Sequence, residues 1–239
     1  MEAPDIQGNY LRTVDRIAEA ARTVGRDASE VRLIVVTKGH PVETAQAAIQ
    51  AGARCLGENY VEEAILKIQA LAGAGPVEWH MIGHVQSRKA QAACEYFNWV
   101  HSVDSLKLAI RLDRFAGELG RSLPILFECN VSGEASKFGW PAWEEKEWNR
   151  FVDEITPITA LPNIHVRGLM TMAPFLAEPE DTRPYFRRLR HLRDYLARCF
   201  PQSNWSTLSM GMSADYLVAI QEGATMVRIG TAILGERPA

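Results

Sequence analysis

The run Val31-Arg32-Leu33-Ile34-Val35-Val36-Thr37-Lys38 reads as a β-strand, and Gly39-His40-Pro41 stops it at once. An amine at the carboxyl end of a buried strand is carried on a rigid element, beside a loop that can admit a ligand. Desolvation there disfavours the ammonium form, which is what an amine that captures a carbonyl requires. Taken alone, the segment also reads as a lysine whose stem leaves the apolar interior and whose head reaches water. Two later segments carry complementary chemistry: Ser209-Met210-Gly211-Met212-Ser213-Ala214-Asp215 and Arg228-Ile229-Gly230-Thr231. Small and hydroxyl-bearing residues at strand-to-helix junctions let backbone N–H groups converge on an anion. Gly211, Ser213, Gly230 and Thr231 meet that description, although Ser213 also reads as the N-cap of a helix Ala214–Glu222, a role that needs no ligand. Arg228 alternates with Val227 and Ile229, so it faces either a barrel axis or a helix layer. In either place it needs a carboxylate, a phosphate or a ring-nitrogen partner.

The elements that position these groups alternate in period. Strands are predicted at Val31–Thr37, Arg54–Leu56, Trp79–Ile82, Trp99–Ser102, Pro124–Asn130, His165–Thr171, Thr207–Ser209 and Met226–Ile229. Helices are predicted at Ile6–Val24, Val42–Ala51, Tyr60–Leu71, Val85–Tyr96, Ser105–Leu119, Trp143–Ile155, Asp181–Cys199 and Ser213–Glu222. Eight strands with a helix in each gap predict an α/β fold, a single TIM-type (β/α)8 barrel with an extra N-terminal helix. An open doubly wound sheet is the competing arrangement. In such a barrel the loops after strands seven and eight commonly hold phosphate, and closure brings them beside strand one. A lysine next to an anion cradle suits pyridoxal 5'-phosphate, which has an aldehyde and a phosphate to place.

Composition narrows the class. The 239 residues, 47% hydrophobic and 23% charged, fit one α/β barrel or two small domains, and a single domain, 1–239, is expected. A formal charge of -3 offers no electrostatic reason for nucleic acid as a partner, and no segment has the apolar length of a membrane span. The N-terminus shows no secretory pattern, so a cytoplasmic location is expected. Cys55, Cys94, Cys129 and Cys199 are widely spaced and form no CxxC pair, which predicts neither a disulfide frame nor a zinc site. His80 and His84 have helical spacing but fall on a strand and the loop after it, so they need not share a face. Trp143 and Trp148 bracket an acidic helical segment read as packing on the barrel. Met170, Met172, Met210 and Met212 sit at strand ends six and seven, where they are expected to form an apolar wall.

Several segments, in order along almost the whole chain, resemble the pyridoxal-phosphate homeostasis protein family, single-domain relatives of the alanine racemase N-terminal barrel. They are Val35-Val36-Thr37-Lys38, Gly57-Glu58-Asn59-Tyr60, Trp79-His80-Met81-Ile82-Gly83-His84-Val85-Gln86, Asn130-Val131-Ser132-Gly133-Glu134 with Lys137 and Gly139, and Gly168-Leu169-Met170-Thr171-Met172. The two strongest are Leu208-Ser209-Met210-Gly211-Met212-Ser213-Ala214-Asp215 and Met226-Val227-Arg228-Ile229-Gly230-Thr231-Ala232-Ile233. Arg88 stands where the family usually has Asn, and Gly39-His40-Pro41 replaces its usual run after the lysine.

The resemblance implies pyridoxal 5'-phosphate bound covalently through a Schiff base at Lys38. Ser213, Gly230 and Thr231 would hold the phosphate, Arg228 would face the pyridine nitrogen, and Asn59 would line the ring's edge. Met210 and Gly211 complete the expected cofactor contacts. An arginine opposite the ring nitrogen cannot give it a proton, which makes the ring a weak electron sink. No segment of the sequence reads as the separate domain that supplies a racemase with its second base, so a two-base racemase is not expected. The expected role is therefore pyridoxal phosphate homeostasis (vitamin B6) without efficient turnover, in a monomer that hands its cofactor to pyridoxal-phosphate-dependent apoenzymes. The alternatives are a racemase-like enzyme of narrow specificity, with His84 or Tyr60 as base, and a cofactor-free aldolase using Lys38 on a sugar phosphate.

Overall fold

The computed structural model describes residues 4–237. Its barrel strands are β1 (Arg32–Val36), β2 (Cys55–Glu58), β3 (Glu78–Met81), β4 (Trp99–Val103), β5 (Leu123–Asn130), β6 (Ile164–Met170), β7 (Thr207–Ser209) and β8 (Met226–Ile229). Each pairs in parallel with the next in sequence, and β8 returns to β1, where Leu33 lies opposite Val227 and Val35 opposite Ile229. The β4–β5 ladder, with Val100 opposite Ile125, completes the circuit. A closed cylinder leaves none of these strands with a free edge and excludes the open sheet. A two-residue strand at Trp140–Pro141 pairs alongside the end of β5.

The helices are α1 (Ile6–Thr23), α2 (Val42–Gln50), α3 (Val61–Ala70), α4 (Ala90–Tyr96), α5 (Leu106–Glu118), α6 (Trp148–Thr159), α7 (Arg183–Cys199), α8 (Tyr216–Gln221) and α9 (Thr231–Leu234). Strand alternation sends Val35, Leu56, Met81, Ile125, Leu169, Leu208 and Val227 outward into one core shared with the helices. Inside the cylinder, Ile34, Cys55 and Met226 form a small separate cluster against Trp99. The extra helix α1 is capped by Asp5, which accepts the Gly8 N–H, and it packs on α2, α8 and α9. None of the described helices is long and apolar enough to cross a membrane.

Local chemistry moved several helix ends from their expected places. The helix predicted at Val85–Tyr96 is a 3-10 turn, Ser87–Lys89, followed by α4, because the chain after β3 first runs extended to bury Val85. The helix predicted at Ser213–Glu222 begins only at Tyr216, since the Asp215 carboxylate accepts the Met212 N–H at 2.6 Å and closes residues 212–215 into a turn. Ser213 is therefore not a helix cap. The helix predicted at Trp143–Ile155 starts at Trp148 and runs on through Pro157. Helix α9 has four residues, too few to show a period.

Candidate functional site

Lys38 follows β1 on the barrel-facing parity of Ile34 and Val36, and it is half-buried at the cylinder's mouth. Burial lowers its pKa, helped by Arg237 and Arg228 and opposed by Glu58. The opposite face of the same strand end is pinned. Thr37 Oγ1 donates to Glu58 Oε1 at 2.6 Å, and Lys67 Nζ from α3 donates to Thr37 O at 2.6 Å and to Glu58 Oε1 at 2.8 Å. One turn earlier on α3, Glu63 accepts from Lys67 at 2.6 Å and from the Gly39 N–H at 2.7 Å. The residues on either side of Lys38 are thus clamped, while its own amine faces the mouth.

Across the β1–β8 seam lies the second group. Gly230 passes so close to β1 that a Cβ there would lie 3.2 Å from Val36 O. Gly211 has φ +93° and faces Ala219 and the Tyr216 backbone, where a Cβ would come within 2.6 Å and 2.9 Å. Ser213 Oγ accepts the Ala232 N–H at 3.4 Å, tying the loop after β7 to the start of α9. Among the described residues, no protein acceptor meets the N–H groups of Ser213, Ala214 and Thr231. Thr231 and Ala232 are exposed and Ser213 is half-buried, so an anion can reach these donors. Both parts stand on the same rim, because β1 and β8 run parallel.

Arg228 points down the axis. Its Nη1 donates to Ser209 Oγ at 2.6 Å and its Nη2 to Thr171 O at 2.8 Å. Burial lowers its pKa to about 10, opposed by Asp215 and Glu128, so it stays charged at neutral pH. Below it Ser209 Oγ lies 3.0 Å from His101 Nδ1, and His101 Nε2 lies 3.0 Å from His80 Nδ1. Burial keeps both imidazoles below their ordinary range, hence neutral. Glu128, on the inner face of β5, is pushed up to about 7 by burial and by Asp104, with Arg228 opposing. Its Oε2 has no hydrogen-bond partner.

The remaining candidates divide. Asn59 is half-buried and sits under Gly83, where a Cβ would come within 2.5 Å of Asn59 O. His84 Nδ1 lies 3.0 Å from Asp104 Oδ2 and stacks on Phe138, while His80 lies inside the cylinder; they do not form a pair. Met172 reaches the rim, Met170 is buried inside it, and Met210 is enclosed in the main core. Trp143, the expected first residue of a helix, precedes α6 and is partly exposed against Gly133. Lys137 Nζ bridges Glu134 and Met172 O, closing the long loop after β5 onto the end of β6. Glu128 and His101 stand outside the segments that the sequence marks as chemical. Glu128 had a usable signal: a carboxylate inside the buried run Leu123–Asn130, in phase with Asn130.

A racemase-type barrel with a lysine and an N–H cradle on one rim defines the class, and comparison with known proteins agrees. The model of the alanine racemase N-terminal domain matches residues 13–238. The alanine racemase of Clostridium difficile 630 shares the fold, with TM-score 0.67 at 18% identity over 96% of this chain and 58% of its own. PipY of Synechococcus elongatus PCC7942, solved with PLP bound, is 39% identical with TM-score 0.80, over 92% of this chain and 100% of its own. The pyridoxal phosphate homeostasis protein of Vibrio alginolyticus is 41% identical over 236 residues, 97% of each chain. The chain belongs to the pyridoxal phosphate homeostasis protein family.

Proposed function

We propose that this chain binds pyridoxal 5'-phosphate covalently at Lys38 and takes part in vitamin B6 homeostasis without efficient turnover. The observation that carries this reading is the shared rim: a desolvated, uncapped amine beside acceptor-free N–H groups, across the β1–β8 seam. The residues fit the group. Ser213, Gly230 and Thr231 would hold the phosphate, with Gly211 letting the loop close; Asn59 and Arg228 would hold the ring. When bound, the cofactor supplies an aldehyde and a conjugated ring. Lys38, whose pKa is lowered by burial and by Arg237 and Arg228, is the amine that would hold the aldehyde. The PLP-bound PipY relative supports the assignment.

Arg228 also supports the absence of efficient turnover. Its guanidinium is charged and held by Ser209 and Thr171, so it gives no proton to a ring nitrogen and strengthens no electron sink. Binding without consumption leaves the cofactor available to be handed to apoenzymes. A second reading, a narrow-specificity enzyme, draws on the His84–Asp104 pair at the mouth, a geometry that suits a base. Amino-acid racemisation or transamination that is lost in His84→Ala establishes that reading instead.

The test of binding is borohydride trapping followed by peptide mass spectrometry. Wild-type protein is expected to carry one reduced pyridoxal group, on Lys38, and Lys38→Ala none; a group retained elsewhere, or none in the wild type, overturns the assignment. For the cradle, Ser213→Ala combined with Thr231→Ala is expected to weaken pyridoxal phosphate binding about tenfold, the loss of one or two charge-assisted hydrogen bonds. Pyridoxal without phosphate is expected to bind both proteins alike. Fluorescence titration reads both affinities.

A further inference from the structure

At the end of the cylinder opposite the mouth, three donor atoms from neighbouring strands converge. Cys55 opens β2 and Glu78 opens β3, and the two are register partners; His80 follows two residues later, so all three share the inner face. Cys55 Sγ, a Glu78 carboxylate oxygen and His80 Nε2 lie within 4.8 Å of one another. Sγ is 3.8 Å from Glu78 Oε2, and His80 Nε2 is 3.6 Å from the same oxygen. Tetrahedral zinc with ordinary bond lengths sets such atoms roughly 3.4–3.6 Å apart. The two distances to the Glu78 oxygen lie within a few tenths of an ångström of that, and the thiol and imidazole would close on each other from a separation of at most 4.8 Å.

The imidazole supplies an independent observation. His80 is wholly buried, and its Nε2, aimed at Glu78 and Cys55, has no hydrogen-bond partner. Its Nδ1 faces His101 Nε2 at 3.0 Å, the outer contact that fixes the ring of a metal-binding histidine. A cavity of ≈ 490 Å³ lined by Arg32, Arg54, Cys55, Pro76, Val77 and Glu78 gives access and room for water as a further ligand.

We propose that Cys55, Glu78 and His80 form a site for a divalent transition metal of the zinc class, separate from the rim described above. Thiolate, imidazole and carboxylate together suit zinc and cobalt(II) and do not suit magnesium or calcium. Binding displaces the Cys55 thiol proton to solvent, so affinity rises with pH. Arg32 opposes it: Nη1 lies 2.6 Å from Glu78 Oε2, though its side chain is 43% exposed and free to turn outward. Arg54 is already turned away, donating to Ile49 O and Ala53 O. Arg32 thus makes the site one of modest affinity and competes with the metal for the carboxylate. Sequence spacing hid the trio because Cys55 and Glu78 meet only through strand register.

Cobalt(II) titration of the full chain under reducing conditions tests this. The wild type is expected to show a thiolate-to-cobalt charge-transfer band and visible bands of four-coordinate intensity. Cys55→Ser and His80→Ala lose them, Cys199→Ser keeps them, and Arg32→Ala tightens binding on the order of tenfold. Zinc is expected to bleach the bands. Absence of the charge-transfer band in both wild type and Arg32→Ala, or its survival in Cys55→Ser, overturns the proposal. The Arg32→Ala arm keeps the test decisive if Cys55→Ser or His80→Ala fails to fold, and all arms are read without regard to pyridoxal phosphate.

Discussion

Lys67→Met is expected to cost roughly 3–5 kcal/mol of unfolding free energy at pH 7, the range for removing one partner of a buried ion pair. Lys67 lies on a short helix, yet its side chain is only 4% exposed and the Glu58 side chain it meets is wholly buried. Burial raises the Glu58 pKa, and the hydrogen bonds from Lys67 and Thr37 work against that rise. Without the ammonium, Glu58 has only Thr37 Oγ1 left, and its Oε2 already lacks a partner. Thr37 O loses its donor at the same time, and Glu63 loses the cation that steadies it against Gly39. Because Glu58 in the variant takes up a proton more readily folded than unfolded, the deficit shrinks as pH falls toward the ordinary carboxylate range. Adding Glu58→Gln is expected to recover at least half of the loss, since no uncompensated charge is left inside. Urea unfolding of the four proteins of this cycle reads the coupling. A single-variant cost under about 1 kcal/mol would mean that water reaches Glu58 and that the clamp behind Lys38 is dispensable.

The clamp also shows which parts of the molecule a sequence can express. Val31–Lys38 announces itself because one strand's alternation fixes both its outward apolar residues and the inward amine. Thr207–Ser209 and Met226–Ile229 match the observed β7 and β8 for the same reason. Helix starts are less legible, since they depend on single side-chain contacts such as Asp215 to the Met212 N–H, which ends the possibility of a Ser213 cap. The axis of the cylinder is almost silent in sequence. His80, His101, Ser209 and Arg228 come from four strands, and the shear of the closed barrel, rather than any spacing along the chain, stacks them. Thr37 and Glu58 lie inside the motifs that carry Lys38 and Asn59, but they turn outward to Lys67. Parity along a strand decides this, and a motif does not carry parity by itself.

Glu128 gives the second large effect. Burial and Asp104 push its carboxyl up to about 7, against 4.5 for an ordinary glutamate, with Arg228 limiting the rise. Between those values the folded protein keeps a proton that the unfolded chain has released, so the group's contribution is complete below about pH 4.5 and is lost as pH rises through 7. That difference corresponds to about 3 kcal/mol. Glu128→Gln keeps the shape and removes the titration. Its unfolding free energy, measured relative to the wild type, is therefore expected to gain about 3 kcal/mol between pH 4.5 and pH 8. The same proton bears on the rim. Once ionised, Glu128 places a negative charge on the face that Arg228 and the N–H cradle keep attractive to an anion. Pyridoxal phosphate affinity of the wild type should then fall between pH 6.5 and 8 by more than that of Glu128→Gln, with both read by the same fluorescence titration. Parallel pH profiles for the two proteins, in stability and in binding, would mean that Glu128 is already ionised at neutral pH and that Arg228, rather than burial, sets its state.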